Sequence, residues 1–311
     1  MNKKYLIVLV GPTASGKTAT AIKLAKALNT VIISADSRQF YKEIPIGTAA
    51  PTENELSQVK HYFVHNLTID NKYDVADYEK DVLYFLKDYF KTNNTAVMTG
   101  GSGLFIDAVC NGLDLIPDIS DDIRTKVSSI YEKDGLRGLQ KEVESADPEY
   151  YQIVDKMNPR RLQRALEVFY QTGLPYSSFR KRNPEKRDFE IIKLALLWDR
   201  AELIDRINAR VDEMMHNGLL EEARAVYPKR HLNSLNTVGY KELFDFFDGN
   251  CTLDEAVEQI KINTRQYAKR QMTWLRKNQD YHWYTIDQVD DMIRLVIDQI
   301  TDKRGFILED C

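Results

Sequence analysis

The stretch Gly11-Pro12-Thr13-Ala14-Ser15-Gly16-Lys17-Thr18 constrains the fold more than any other part of the sequence. It follows the apolar run Tyr5–Val10 and opens a helix-like run over residues 19–28. Strand, glycine-bounded loop and helix are the context in which the pattern G-x-x-x-x-G-K-[ST] holds a phosphate. Gly11 and Gly16 permit backbone conformations that a side chain would obstruct, so successive N–H groups turn inward at the positive end of the helix. Lys17 adds a point charge, and Thr18 a hydroxyl suited to Mg²⁺. The pattern leaves open whose phosphates are held.

With 311 residues, 43% of them hydrophobic, the chain can bury a sizeable core as one large domain or two modest ones. No apolar run approaches the ~20 residues of a membrane span, and the first residues lead straight into a strand, so the expected setting is the cytoplasm. Cys110, Cys251 and Cys311 are far apart and odd in number, which gives neither a disulfide framework nor a metal knuckle. A net charge of −4 argues against indiscriminate nucleic-acid binding but allows local patches.

Residues 31–34 read as a buried strand that ends in Ala35-Asp36-Ser37-Arg38-Gln39. In an open α/β sheet ligands lie beyond the carboxyl ends of the strands, so Asp36 faces whatever the phosphate loop binds. A role near Mg²⁺, a general base and a helix N-cap all suit it. Residues 75–90 place Val75, Tyr78, Val82, Phe85, Leu86 and Tyr89 at helical spacing, a core-facing stripe. His61 and His65 are spaced like helical metal ligands but lack acidic or histidine partners nearby, and read as structural. A further buried strand, 96–99, ends in Gly100-Gly101-Ser102-Gly103, which makes Ser102 a candidate polar contact at the same edge.

From about Pro117 the chain turns charged and helical. Residues 156–187 hold nine basic side chains (Lys156, Arg160, Arg161, Arg164, Arg180, Lys181, Arg182, Lys186, Arg187) against two acids, which favours a polyanionic partner. Arg160 and Arg164 lie one turn apart on one helix face. Residues 190–198 read as a strand returning to the sheet. The expected fold is therefore α/β: a P-loop NTPase-like parallel sheet flanked by helices, formed by 1–116 and 189–311, with a mostly helical insertion at 117–188. Arg206 and Arg210, on a helix over 201–217, either close on phosphates or form a surface salt-bridge face with Glu202, Asp205 or Asp212. The longest helical run, 252–278, carries six basic residues against three acids, with Lys261, Arg265 and Lys269 in one stripe. A strand over 281–286 and a helix over 290–300 close the chain.

The motifs at 11–18, Asp36-Ser37-Arg38-Gln39-Phe40-Tyr41, Ile46-Gly47-Thr48-Ala49, Gly100-Gly101-Ser102-Gly103-Leu104, residues 158–167 (Asn-Pro-Arg-Arg-Leu-Gln-Arg-Ala-Leu-Glu), Val238-Gly239-Tyr240-Lys241-Glu242-Leu243 and residues 264–274 (Thr-Arg-Gln-Tyr-Ala-Lys-Arg-Gln-Met-Thr-Trp) together resemble the tRNA dimethylallyltransferases of bacterial type. The resemblance implies transfer of a dimethylallyl group from dimethylallyl diphosphate to the N6 amine of the adenosine 3′ of the anticodon. It implies that Gly11, Pro12, Thr13, Ala14, Ser15, Gly16, Lys17 and Thr18, with Arg206 and Arg210, hold the diphosphate, and that Thr18 holds Mg²⁺. It makes Asp36 the residue that accepts the amine's proton or orients the amine, with Lys17 and Ser102 catalytic beside it. Ser37 and Gln39 would hold the adenine, and Arg38, Arg124, Arg160, Arg161, Leu162, Gln163, Arg164, Val238, Gly239, Tyr240 and Lys241 would contact the tRNA anticodon stem-loop. Ser102 stands where the family carries threonine, and Ala50 where it carries lysine; the family's eukaryotic zinc finger has no cysteine–histidine set here. Nothing in the sequence requires more than a monomer. The alternatives are a P-loop small-molecule kinase, an adenylate prenyltransferase, and a tRNA-binding regulator with a vestigial P-loop.

Overall fold

The computed structural model describes residues 3–114, 116–180 and 185–301. Lys181, Arg182 and Cys311, named above, lie outside the described residues. Six strands, β1 (Tyr5–Val10), β2 (Ile32–Ser34), β3 (His61–Tyr62), β4 (Thr95–Thr99), β5 (Glu190–Leu196) and β6 (His282–Tyr284), form one sheet in the order β3-β2-β4-β1-β5-β6. Every pairing is parallel. β1 is buried at all six positions, the pattern of a strand covered on both faces. Alternation along it still sorts the two cores. Leu6, Val8 and Val10 join one apolar cluster, while Tyr5, Ile7 and Leu9 join another. The two-residue β3 at the edge was not visible as a strand in the sequence, because it holds only a histidine and a tyrosine, both half-buried.

Helices α1 (Lys17–Ala27), α2 (Glu53–Gln58), α3 (Val75–Tyr89) and α4 (Gly103–Asn111) alternate with the first four strands. Then come α5 (Asp121–Ala146), α6 (Pro148–Ile153) and α7 (Pro159–Thr172), and after β5 follow α8 (Arg200–His216), α9 (Leu219–Val226), α10 (Tyr240–Phe247), α11 (Leu253–Lys277) and α12 (Val289–Ile300). Local chemistry sets several starts. Asp74 caps α3 in a capping box with Asp77, Asn158 precedes Pro159 at the head of α7, and Thr252 with Glu255 boxes the start of α11. Among the described residues no helix is long and apolar enough to cross a membrane.

The chain forms two compact units, residues 111–186 and the remainder. In the larger unit the sheet carries the two cores above, and Val211, Leu219, Ala223, Leu243, Phe244 and Ile260 make a third core among α8 to α11. The smaller unit packs Val127, Leu139, Val143, Tyr150, Leu162, Ala165 and Leu166 between α5, α6 and α7. Leu162, placed above with the tRNA-facing residues, is fully buried there, so its side chain supports α7 and does not face solvent. The other side of α7 leaves Arg160 and Arg161 exposed, and Arg164 lies 3.6 Å from Glu167. Arg124 on α5 is exposed, 4.0 Å from Asp121.

Candidate active site

The phosphate loop is shaped by its own backbone. Ala14 (φ 63°) and Gly16 (φ 84°) occupy the left-handed region, Gly16 as the N-cap residue immediately before α1. The outer side of the loop is pinned. Trp198 Nε1 donates to the Ser15 carbonyl (2.9 Å), Arg206 Nε to the Ala14 carbonyl (2.8 Å), and the Arg206 guanidinium lies 4.3 Å from the Trp198 ring centre. Lys17 Nζ donates to the Pro12 carbonyl (2.8 Å). Ser15 Oγ is buried without a hydrogen-bond partner in the protein, an unmet group that a phosphate oxygen would satisfy.

The loops after β2 and β4 form the facing wall. Asp36 Oδ1 accepts the Arg38 N–H (3.0 Å) within a turn; no helix begins there before α2, so the side chain is not a helix N-cap, and its carboxylate faces the crevice. Burial pushes the Asp36 carboxyl up from the usual aspartate value, and the Arg38 N–H and the charges of Lys17 and Arg38 partly oppose this. Lys17 is pushed the other way, down to about 7, by burial first and Arg210 second, with Asp36 opposing. Ser102 Oγ accepts the Ser37 N–H (3.0 Å) and donates to Ser37 Oγ (3.2 Å), while the Ser102 N–H donates to the Ala35 carbonyl (3.1 Å).

Two cavities of about 480 and 690 Å³ open along this wall. The larger follows residues 13–18, and the smaller runs beside Ser37, Arg38, Val238, Gly239 and Lys241. Thr13, Asp36, Arg210 and Tyr267 border both. Arg206 borders neither. It is committed to the back of the phosphate loop and makes no ion pair among the described residues, so of the paired arginines only Arg210 reaches the crevice.

Three expected contacts change character. Tyr240 is fully buried and its hydroxyl donates to Glu222 (2.5 Å), a carboxylate that also accepts the Ile46 and Gly47 N–H groups (2.9 Å each); it belongs to the core beneath the Val238–Lys241 turn. Gln39 gives both amide hydrogens to the Thr48 and Ala49 carbonyls and accepts from Ser34 Oγ, so it builds the wall and has no free donor. Arg38 donates to the Asn233 and Ser234 carbonyls (2.9 and 3.1 Å) while still bordering the smaller cavity. Part of the basic stripe is also engaged, Lys261 with Asp212 and Glu258, and Arg265 with Asn208.

The sequence reading missed the part played by α11. Gln271 accepts the Thr13 N–H (2.8 Å) and donates to the Gly101 carbonyl (2.9 Å), Tyr267 donates to the same carbonyl (3.2 Å), and Trp274 donates to Asp107 (2.8 Å). A polar glutamine four residues after Tyr267, on the inward face of a long helix, was the available signal. Of the two histidines, His61 pairs with the Val59 carbonyl (2.8 Å), and His65 borders the larger cavity with Nε2 buried and unpaired.

No group of three or more His, Cys, Asp or Glu side chains that could cage a metal occurs among the described residues. The crevice offers the Thr18 hydroxyl and the Asp36 carboxylate. That small oxygen set fits a hard cation whose other positions are filled by phosphate oxygens and water.

A family profile described as IPP transferase matches residues 39–278. The chain is 50% identical over 284 residues to a tRNA dimethylallyltransferase of Christiangramia forsetii, covering 91% of this chain and 94% of that protein. It is 50% identical over 291 residues to tRNA dimethylallyltransferase 1 of Phocaeicola vulgatus, covering 94% and 97%. The crystal structure of full-length tRNA isopentenylpyrophosphate transferase from Bacillus halodurans superposes with a TM-score of 0.71 at 32% identity, over 97% of this chain and 98% of that one.

Proposed function

Because the chain belongs to the IPP transferase family of tRNA dimethylallyltransferases, we propose that its two cavities are the donor and acceptor arms of one active site. The enzyme transfers the dimethylallyl group of dimethylallyl diphosphate to the N6 amine of the adenosine 3′ of the anticodon in tRNA. The observation that carries the residue assignments is the position of Asp36, the carboxylate bordering both the phosphate-loop cavity and the cavity beside Val238 and Gly239.

In this reading the inward N–H groups of the phosphate loop, other than that of Thr13, which Gln271 holds, together with Ser15 Oγ, Lys17 and Arg210 bind the diphosphate. The adenine, extruded from the anticodon loop, enters from the other arm, where Ser37 meets its edge; Ser102, expected to be catalytic, borders neither cavity and instead holds Ser37 in place from behind. The amine nitrogen attacks C1 of the dimethylallyl group, the C1–O bond breaks, diphosphate leaves with that electron pair, and the amine proton passes to Asp36. Lys17 and Arg210 stabilise the leaving charge, and Mg²⁺ held at Thr18 would neutralise more of it. The enzyme acts in this account as a cytoplasmic monomer.

Labelled dimethylallyl diphosphate with Mg²⁺ and unmodified anticodon stem-loop RNA tests the reading, beside the same mixture with AMP in place of RNA. Label is expected in RNA alone. Label in AMP would recast the acceptor as a free nucleotide, and phosphoryl transfer from ATP to a small molecule would recast the enzyme as a kinase.

The exposed arginines of α7 are proposed to grip the RNA backbone. Arg160→Glu with Arg164→Glu is expected to weaken stem-loop binding and to reduce the slope of log affinity against log salt by about 0.7–0.9 per lost phosphate contact. Donor binding stays unchanged. RNA affinity equal to wild type at moderate salt would remove these residues from the interface.

A further inference from the structure

We propose that Gln271 is a positioning residue for the transfer, its side-chain amide acting as the strut that fixes the distance between the donor's phosphate loop and the acceptor's Ser102 loop. The proposal rests on the prenyl-transfer reading above. Among the described residues no other side chain hydrogen-bonds to both loops.

Gln271 is 7% exposed, and both ends of its amide are used. The carbonyl oxygen accepts the Thr13 N–H at 2.8 Å, and the NH₂ group donates to the Gly101 carbonyl at 2.9 Å. Only a neutral amide can accept at one end and donate at the other with this length. The fit leaves no slack. A Cβ at position 101 would lie 2.5 Å from Gln271 Nε2, so a glycine is required for the strut to seat. Tyr267, one turn earlier on α11, donates to the same carbonyl, and Trp274, a turn later, packs against Gly103.

The strut connects to the chemistry on both sides. Thr13 opens the phosphate loop, and its N–H, being held by Gln271, is withdrawn from the phosphate cradle. Gly101 precedes Ser102, whose Oγ holds the Ser37 N–H next to Asp36. Beyond the paired ends of β1 and β4, this amide therefore ties the loop of the leaving group to the loop that supports the proton acceptor. Substrates can bind to either loop without it, but the nucleophile and the carbon reach bonding distance only when both loops hold register. A misplacement of ~1 Å between reacting groups lowers a rate about 100-fold.

Gln271→Glu keeps the acceptor for Thr13 and replaces the donor to Gly101 with a second acceptor. Gln271→Met keeps the volume and removes both bonds. Single-turnover transfer at saturating donor and RNA, assayed well below each variant's melting temperature, is expected to fall about 100-fold in each, with direct binding of each substrate as in wild type and a melting temperature lowered only by the loss of buried hydrogen bonds. For Gln271→Glu the deficit relative to wild type should narrow as pH is lowered, since a protonated glutamic acid again donates to Gly101. That narrowing, with both substrate affinities and the melting temperature of the variant unchanged over the same pH range, separates positioning from loss of fold. Wild-type single-turnover rates in both variants would overturn the proposal, as would losses confined to substrate binding, or a rate loss that disappears when the assay temperature is lowered further below the melting point. If Gln271→Glu does not fold, the Met variant decides by the same rate and binding criteria. Wild-type enzyme that fails to prenylate RNA would instead defeat the functional reading.

Discussion

Asp36→Asn is expected to lower single-turnover transfer to RNA by about 10²–10⁴-fold, the range for loss of a positioned general base. Asparagine keeps an oxygen to accept the Arg38 N–H, so the turn after β2 survives. What disappears is the carboxylate at the junction of the two cavities, the proposed destination of the amine proton. Donor binding, which depends on the phosphate loop, should persist. The pH profile carries a second check. Burial raises the Asp36 pKa, so the wild-type rate should fall as pH drops through that raised value, because the carboxylate becomes protonated. In the variant that acid limb should vanish from the residual rate. Burial disfavours the ionised carboxylate in the folded state, so the neutral amide should not lower the melting temperature at pH 7. An Asp36→Asn enzyme that turns over at the wild-type rate would remove Asp36 from the mechanism.

What the sequence revealed and what it concealed have distinct physical origins. β1, the phosphate loop and α1 were readable because a buried parallel strand, two glycines and an apolar helix face leave local signatures within one short segment. Asp36 and Ser102 were placed by one rule, that loops at the carboxyl ends of parallel strands converge. Facing direction on helices was harder. Leu162 and Tyr240 lie inside contiguous motifs, but a motif read as a string does not separate the buried face of a helix from its exposed one, and both side chains are core. Arg206 and Arg210 share a helix at one-turn spacing, yet Trp198 draws Arg206 behind the phosphate loop. Gln271 meets Thr13 across 258 residues of sequence. Such a bond depends on how α11 packs against the sheet, which no local pattern encodes.

Lys17→Met is expected to cost about 10²–10³-fold in single-turnover transfer, comparable to removing one preorganised charge-stabilising donor, and to weaken donor binding as well. The wild-type lysine lies in a crevice that disfavours its cation. Burial and the neighbouring Arg210 push its pKa from the usual 10.5 down to about 7, with Asp36 opposing. Diphosphate favours the cation. Below about 7 the free enzyme already carries the proton, whereas above it donor binding must take one up. Donor affinity should therefore weaken with rising pH above that point, approaching tenfold per pH unit while Lys17 alone limits it. Calorimetry in two buffers of different protonation enthalpy reads the proton uptake directly. The same depressed pKa acts on stability. Between about 7 and 10.5 the unfolded chain binds more protons at this residue than the folded chain does, so Lys17 makes stability rise with pH across that window; its destabilising effect is fully present below about 7. Lys17→Met should melt higher than wild type in neutral and acidic buffer while losing both transfer and the proton uptake on donor binding. Proton uptake that persists in Lys17→Met would assign the titration to another group in the crevice.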